Sequence, residues 1–211
     1  MRRKIMLQIL AATSNKHKIE EFRGAFRILE EKMKIITLDD IPAFPPAEET
    51  GVSFEENSML KAQTASAFAD MPAFADDSGL EVAALDGAPG VYSARFAGDN
   101  ASDADRIAKL LDMMKGKTNR RARFVCVMSL AYRGTPVKSF RGEVNGEIIF
   151  EPRGSHGFGY DPVFVPDGYT QTFGELGSEI KEKISHRANA LEKIVSFIKA
   201  ELDSMDDFEF E

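Results

Sequence analysis

Five polar clusters in this chain hold residues whose types and spacing could do chemistry. The first, Thr13-Ser14-Asn15-Lys16-His17-Lys18, follows an apolar run and precedes a helical pattern. A strand-to-helix junction aims backbone N–H groups and the positive end of a helix at one point, which suits a phosphate. Thr13, Ser14 and Asn15 add short donors, Lys16 and Lys18 add mobile positive charge, and His17 adds bulk without an assigned role. No Gly-x-x-x-x-Gly-Lys pattern is present, so this is no P-loop, and an ordinary polar turn has the same composition. The second is Glu48-Glu49-Thr50-Gly51, followed by Asn57 and Lys61, which are four apart and so share a helix face; taken alone, it reads first as a solvated acidic loop and a surface lysine. The third is Asp76-Asp77-Ser78-Gly79. Adjacent carboxylates after an apolar stretch suit hard oxygen ligation of Mg²⁺, or a base beside a metal. They suit a tight Asp-Ser-Gly turn equally well. In the fourth, Gly157-Phe158-Gly159-Tyr160-Asp161-Pro162, aromatics spaced by glycines can lie against a planar base, with Asp161 as an acceptor. A hairpin turn plugged by its aromatics reads the same way. The fifth is Lys181 with Ser185-His186-Arg187, where potential cations at a helix start oppose the helix dipole, which a bound anion or an electronegative base edge would explain and a solvated helix start would explain equally.

The elements that must position these clusters alternate as in α/β proteins. Ile5–Ala12 reads as a buried strand, and Ile19, Phe22, Phe26, Leu29 and Met33 follow helical spacing. Lys34–Leu38 reads as a short strand and the Pro-rich Ile41–Ala47 as loop. Ser53 and Glu56 form a capping-box pattern for a helix to about Asp70, whose alanines permit close packing on a sheet. Ala73–Ala75 and Leu80–Leu85 read as two short strands around an acidic turn, and Gly87–Arg95 as a shaped loop. Ser102 caps a helix with Ile107, Leu110, Leu111 and Met114 on its buried side. Phe124–Tyr132 and Pro136–Val144 read as a strand pair turning at Arg133-Gly134-Thr135, with further strands at Glu147–Phe150 and Val163–Val165. A last helix spans about Ser185 to Leu202. The length suits one large domain or two small lobes sharing a core over residues 1–203, with residues 204–211 as an acidic, frayed tail.

Composition narrows the function classes. The chain has 211 residues, 43% hydrophobic and 29% charged, with 27 Lys+Arg against 34 Asp+Glu for a net charge of −7. That excludes wholesale disorder and disfavours a nucleic-acid polymer or a membrane surface as partner. The longest uncharged stretch, Ile5 to Asn15, is far below the ~20 apolar residues that span a bilayer. The Arg2-Arg3-Lys4 start and the run after it resemble a signal peptide, but Gln8 breaks the run and a helix follows at once. The single cysteine, Cys126, lies in an apolar run and reads as a buried thiol. A reducing cytoplasm is the simplest compartment.

Seven blocks, in order along nearly the whole chain, resemble the Ham1/RdgB family of non-canonical purine nucleoside triphosphate pyrophosphatases. They are Ala12–Lys18, Glu48–Gly51, Phe54–Ala62, Ala75–Leu80, Gly87–Arg95, Gly157–Phe164 and Ser185–Arg187. The resemblance implies an elongated, two-lobed α/β fold with a long curved mixed sheet and a central substrate cleft. It implies a homodimer, Mg²⁺ as cofactor, and hydrolysis of ITP, dITP or XTP to the monophosphate and pyrophosphate, which cleanses the nucleotide pool. By the same resemblance Thr13, Ser14, Asn15, Lys16, His17 and Lys18 are the phosphate loop, and Lys61 neutralises the triphosphate. Asp77, Lys18 and Lys61 are the catalytic set. Asp77 and Glu49 are the metal ligands, with Glu48 inseparable from Glu49 by spacing and Asp76 in support. Ser78 touches substrate, Phe158, Gly159, Tyr160 and Asp161 bind the base, and Lys181, His186 and Arg187 read it. Many members carry glycine where this chain has His17. A nucleotide-binding regulatory module and a metal-dependent phosphomonoesterase are the alternatives.

Overall fold

The computed structural model describes residues 6–45 and 49–208, the side chains of 205–208 excepted. Glu48 and residues 1–5 therefore lie outside the described residues. The fold is α/β: a six-stranded mixed sheet of order β2-β1-β3-β4-β5-β6, with helices packed on it. The strands are β1 Leu7–Ala11, β2 Met33–Thr37, β3 Pro72–Val82, β4 Arg121–Tyr132, β5 Thr135–Ile148 and β6 Phe164–Pro166. The α-helices are α1 Lys16–Phe26, α2 Phe54–Ala69, α3 Asp103–Met113, α4 Ser178–Ile184 and α5 His186–Phe208. β1 pairs in parallel with β2 and β3, whereas β5 and β6 are antiparallel. Among the described residues no helix is long and apolar enough to cross a membrane.

Two compact units emerge from the contacts, one holding residues up to Asp77, Val127–Arg141 and Ala190 onward, the other Ser78–Cys126 and Gly142–Asn189. In the first unit the period-2 alternation of β3 decides the packing. Phe74 faces α1, where its ring lies 5.2 Å from both Phe22 and Phe26. Ala73 and Ala75 face the other way and pack with Ala62 and Ala65 of α2. Small residues on both partners let this helix sit close to the sheet. The β4–β5 hairpin closes in two residues, Arg133 and Gly134, both with positive φ (49° and 75°), as a tight right-twisting hairpin requires. Its turn is tied to α2, since Gly134 N donates to Ser66 Oγ at 2.9 Å and Gln63 Nε2 donates to Gly134 O at 2.9 Å.

The second unit has its own core, in which Leu80, Val82, Ile107, Leu110, Met114, Phe124, Ile148, Phe164 and Phe173 are buried. Ser102 caps α3 as its sequence suggests, and the reciprocal bond comes from Asp105. Cys126 is fully buried in β4.

Several elements differ from the sequence reading, each for a physical reason. The expected acidic turn at Asp76–Gly79 is the middle of one continuous strand, β3, because both carboxylates find lysine partners there. Glu147 and Ile148 extend β5 instead of starting a new strand. Met33 begins β2 and does not continue the helical face of α1. At α2 the Ser53 cap forms, but Glu56 Oε2 accepts from Val52 N rather than from the cap residue. The short helix α4 has no counterpart in the sequence reading, although Ile180 and Ile184, one turn apart, are the face it packs on the second-unit core. The last helix runs on to Phe208, so the segment expected to fray from residue 204 is helical up to that point.

Phe74 is fully buried between two aromatic rings. Phe74→Ala should lower unfolding stability by about 3–5 kcal/mol, read by chemical denaturation. A loss below about 1 kcal/mol would contradict this account of the α1–β3 packing.

Candidate active site

The loop after β1 is built around Asn15. Its Oδ1 accepts from His17 N at 3.0 Å and Lys18 N at 3.3 Å, which caps α1. Thr13 Oγ1 in turn accepts from Asn15 N. Two amides that the sequence reading offers to a phosphate are thus engaged within the loop. Ser14, Lys16 and His17 are exposed, whereas Lys18 turns inward. Its Nζ lies 2.9 and 2.8 Å from the two oxygens of Asp76.

Asp76 and Asp77 are neighbours on a strand, so their side chains leave opposite faces. Asp76 shares the Phe74 face and meets Lys18 of α1. Asp77 shares the Ala75 face and meets α2, where Lys61 Nζ donates to its Oδ1 at 3.0 Å and Asn57 Nδ2 to its Oδ2 at 3.3 Å. Lys61 also donates to Glu49 Oε1 at 2.8 Å. Helical spacing of four puts Asn57 and Lys61 on one face of α2, and that face is the one turned to β3.

This first-unit cluster thus gathers three carboxylates, Glu49, Asp76 and Asp77, against two ammonium groups, Lys18 and Lys61. The imbalance sets the direction in which the pKa values move. Burial opposes the charge on Lys61, but Asp77, Asp76 and Glu49 outweigh it and raise its pKa above the usual lysine value. Burial pushes the Asp77 carboxyl up; Lys61 pulls it back, while Glu49 and Asp76 add to the rise. The surplus negative charge and the hard oxygens of Glu49 and Asp77, which already share one cationic group, fit a divalent cation of the Mg²⁺ type. Among the described residues no group of three or more His, Cys, Asp or Glu is arranged as a metal cage.

The second unit holds the other predicted residues. Phe158 is half-buried, with Lys181 Nζ 4.5 Å and Arg187 Cζ 5.6 Å from its ring centre. Lys181 donates to the buried Asp161 Oδ2, which also accepts from Phe158 N at 2.8 Å. Burial raises the Asp161 pKa, opposed by Lys181, the Phe158 amide and Arg187. A Cβ at Gly157 would stand 2.0 Å from Asp161 Oδ2, and its φ is +76°, so glycine is required there. Arg187 Nη2 donates to Ser78 Oγ at 3.0 Å, and the His186 ring stacks on Phe124 at 4.9 Å. Ser185 caps α5 by accepting from Ala188 N, so His186 and Arg187 do sit in a first helical turn. Tyr160 is placed differently from the base-facing aromatic of the sequence reading. Its ring belongs to the core, its hydroxyl donates to Ser93 O, and burial raises its pKa.

Sequence reasoning passed over two supports. Asp103 Oδ2 accepts from Gly159 N at 2.7 Å and so holds the aromatic loop. In the sequence this residue reads only as an acidic first helical turn. Asn57 was placed on the Lys61 face, but nothing in its type announced contact with Asp77.

The chain is similar to known proteins over most of its length. The Ham1 family model matches residues 9–197. The dITP/XTP pyrophosphatase of Deinococcus deserti is 47% identical over 184 residues, covering 87% of this chain and 86% of that protein. The structure of a HAM1 protein from Coxiella burnetii aligns with a TM-score of 0.87 at 42% identity, covering 92% of this chain and 100% of the other. That of the Staphylococcus aureus Ham1 protein gives 0.84 at 42% identity, with 92% and 99% covered. Blocks in register along nearly the whole sequence, a matching fold and relatives at this identity all say one thing: the chain belongs to the Ham1 family.

Proposed function

We propose that this protein hydrolyses non-canonical purine nucleoside triphosphates such as dITP, XTP and ITP to the monophosphate and pyrophosphate. The observation that carries the reading is the ion-paired cluster of Glu49, Asp76, Asp77, Lys18 and Lys61, in which Asp76 and Asp77 are buried and the other three half-buried, and whose surplus negative charge suits a metal-bound triphosphate. The names of the relatives, dITP/XTP pyrophosphatase, point the same way. Glu49 and Asp77 are the residues that would hold Mg²⁺, which supplies neutralisation of phosphate charge and polarisation of a phosphoryl oxygen. Asp77 accepts a proton from the attacking water, whose oxygen bonds to phosphorus as the phosphoanhydride breaks and pyrophosphate leaves. Lys18 and Lys61 stabilise charge that develops on the phosphate oxygens. No covalent intermediate is required, which is consistent with a lone cysteine held in the core.

Base choice falls to the second unit. Phe158 offers a face for a purine. Arg187, Lys181 and His186 offer hydrogen-bond donors, which match a 6-oxo edge and mismatch the 6-amino group of adenine. A site built to donate leaves a donor unpaired when an amino group arrives, and that is a strong rejection. The same reading carries a homodimer in solution and action on the cytoplasmic nucleotide pool.

With Mg²⁺, XTP, dITP and ITP should yield pyrophosphate and ATP little, measured by product chromatography. Orthophosphate as the first product would overturn the reading in favour of a phosphomonoesterase, and tight binding without turnover would favour a regulatory module. Light scattering should give twice the chain mass.

Asp77→Asn should lower turnover by about 10²–10⁴-fold while the protein stays folded. The folded state holds the Asp77 proton more tightly than the unfolded chain does, so wild-type stability falls as pH climbs from the ordinary value of 3.8 through the raised one. An asparagine has no such slope. In chelator, the melting temperature of the variant should match or exceed that of the wild type above this interval, and retained activity would remove Asp77 from the chemistry.

A further inference from the structure

Asn57 is fully buried on the first turn of α2. A buried side-chain amide left without partners is costly, so its contacts define its role. Oδ1 lies 2.8 Å from Gly51 N, and a backbone N–H can only donate. This fixes the orientation of the amide. Nδ2 must then be the group that faces Asp77 Oδ2 at 3.3 Å, where an ionised carboxylate can only accept.

The two ends of this amide reach two chain segments. One is the strand that carries Asp77. The other is the loop residue Gly51, two positions after Glu49. Lys61, one turn further along the same helix, joins the same pair from its own side by bonding Asp77 Oδ1 and Glu49 Oε1. Asp77 therefore has one oxygen oriented by Lys61 and the other by Asn57. The loop has no slack at this point. A Cβ on Gly51 would stand 2.7 Å from Asn57 Oδ1 and 2.7 Å from Glu56 Cβ.

We infer that Asn57 is a positioning residue, whose amide couples the Glu49 loop to the Asp77 carboxylate so that both acidic groups reach one divalent cation together. This deepens the reading above and rests on it. Lys61 fixes the pair through charge, which a phosphate can draw away. Asn57 is neutral and buried, so its hold persists when Lys61 turns to substrate. Partners that orient a ligating carboxylate typically change metal affinity by about 10–100-fold when removed.

The experiment titrates Mn²⁺ into the nucleotide-free protein by electron paramagnetic resonance, and measures kcat and KM for XTP with Mg²⁺. Asn57→Leu keeps most of the volume and removes the amide, while Asn57→Ala removes both. Ser58→Ala is the structural control: Ser58 is equally buried on α2, but its hydroxyl bonds Ser129 and the Glu55 carbonyl. Both Asn57 variants should bind Mn²⁺ about 10–100-fold more weakly and lose kcat more than KM, whereas Ser58→Ala should bind it as the wild type does. Gly51→Ala presses on the same link from a half-exposed loop, outside the buried face of α2, and should weaken Mn²⁺ binding in the same direction. Wild-type Mn²⁺ affinity in the Asn57 variants, or in Gly51→Ala should those not fold, overturns the inference, as does an equal loss in Ser58→Ala. If the wild type itself releases no pyrophosphate from XTP, the functional reading fails and this inference falls with it. If the wild type is active and the variants bind Mn²⁺ unchanged, only the inference fails.

Discussion

Two adjacent carboxylates in the interior of a sheet are the constraint around which the first unit is organised. Each ion removed from water carries a penalty of several kcal/mol, and that penalty is offset only by well-placed countercharge and hydrogen bonds. A turn would have left Asp76 and Asp77 to compete for the same surroundings. A strand separates them, because consecutive side chains leave opposite faces. Each face is then covered by a helix that brings its own lysine, Lys18 on α1 and Lys61 on α2. The arrangement is stable enough to fold yet remains one negative charge in excess, and that residue of charge is what a metal-bound phosphate chemistry would use.

The second unit meets a related demand by different means. Asp161 is buried against Lys181, and its carboxylate also receives the Phe158 amide. One ion pair thereby fixes an aromatic face and a cation beside it. Tyr160 and Asp103 hold the same loop through Ser93 O and Gly159 N. An aromatic that must meet a flat ligand repeatedly in one pose is better served by such fixed supports than by a mobile loop.

Much of this was legible in the sequence. The Ser53 and Ser102 caps, the helical faces of α1 and α3 and the β4–β5 turn all follow from local pattern, and local pattern is what a single sequence carries best. Of the polar residues that the family resemblance names, the structure groups Lys18, Glu49, Lys61, Asp76 and Asp77 in the first unit, pairs Asp161 with Lys181 and Ser78 with Arg187 in the second, and leaves Ser14, Lys16 and His17 exposed. The strand through Asp76–Gly79 was not legible, since Asp, Ser and Gly are turn residues by propensity and only the distant Lys18 and Lys61 reverse that preference. Tyr160 looked like a base-stacking ring because its neighbours are glycines. Its true partner, the Ser93 carbonyl, is 67 positions away. Asn57 and Asp103 were missed for a similar reason: a helix-start Asn or Asp has a complete local explanation, which hides a tertiary one.

The dependence of both Asn57 and Lys61 on one face of α2 has a consequence for how this chain can change over time. A helix advances about 100° per residue, so inserting or deleting one residue between positions 57 and 61 would swing one group off β3 while leaving the other in place. No compensating substitution nearby restores the phase. Substitutions on the solvent side of α2 leave that phase intact, and length variation in the Pro-rich segment at 41–45 does not enter it at all. The helix is therefore tolerant in its composition and intolerant in its length.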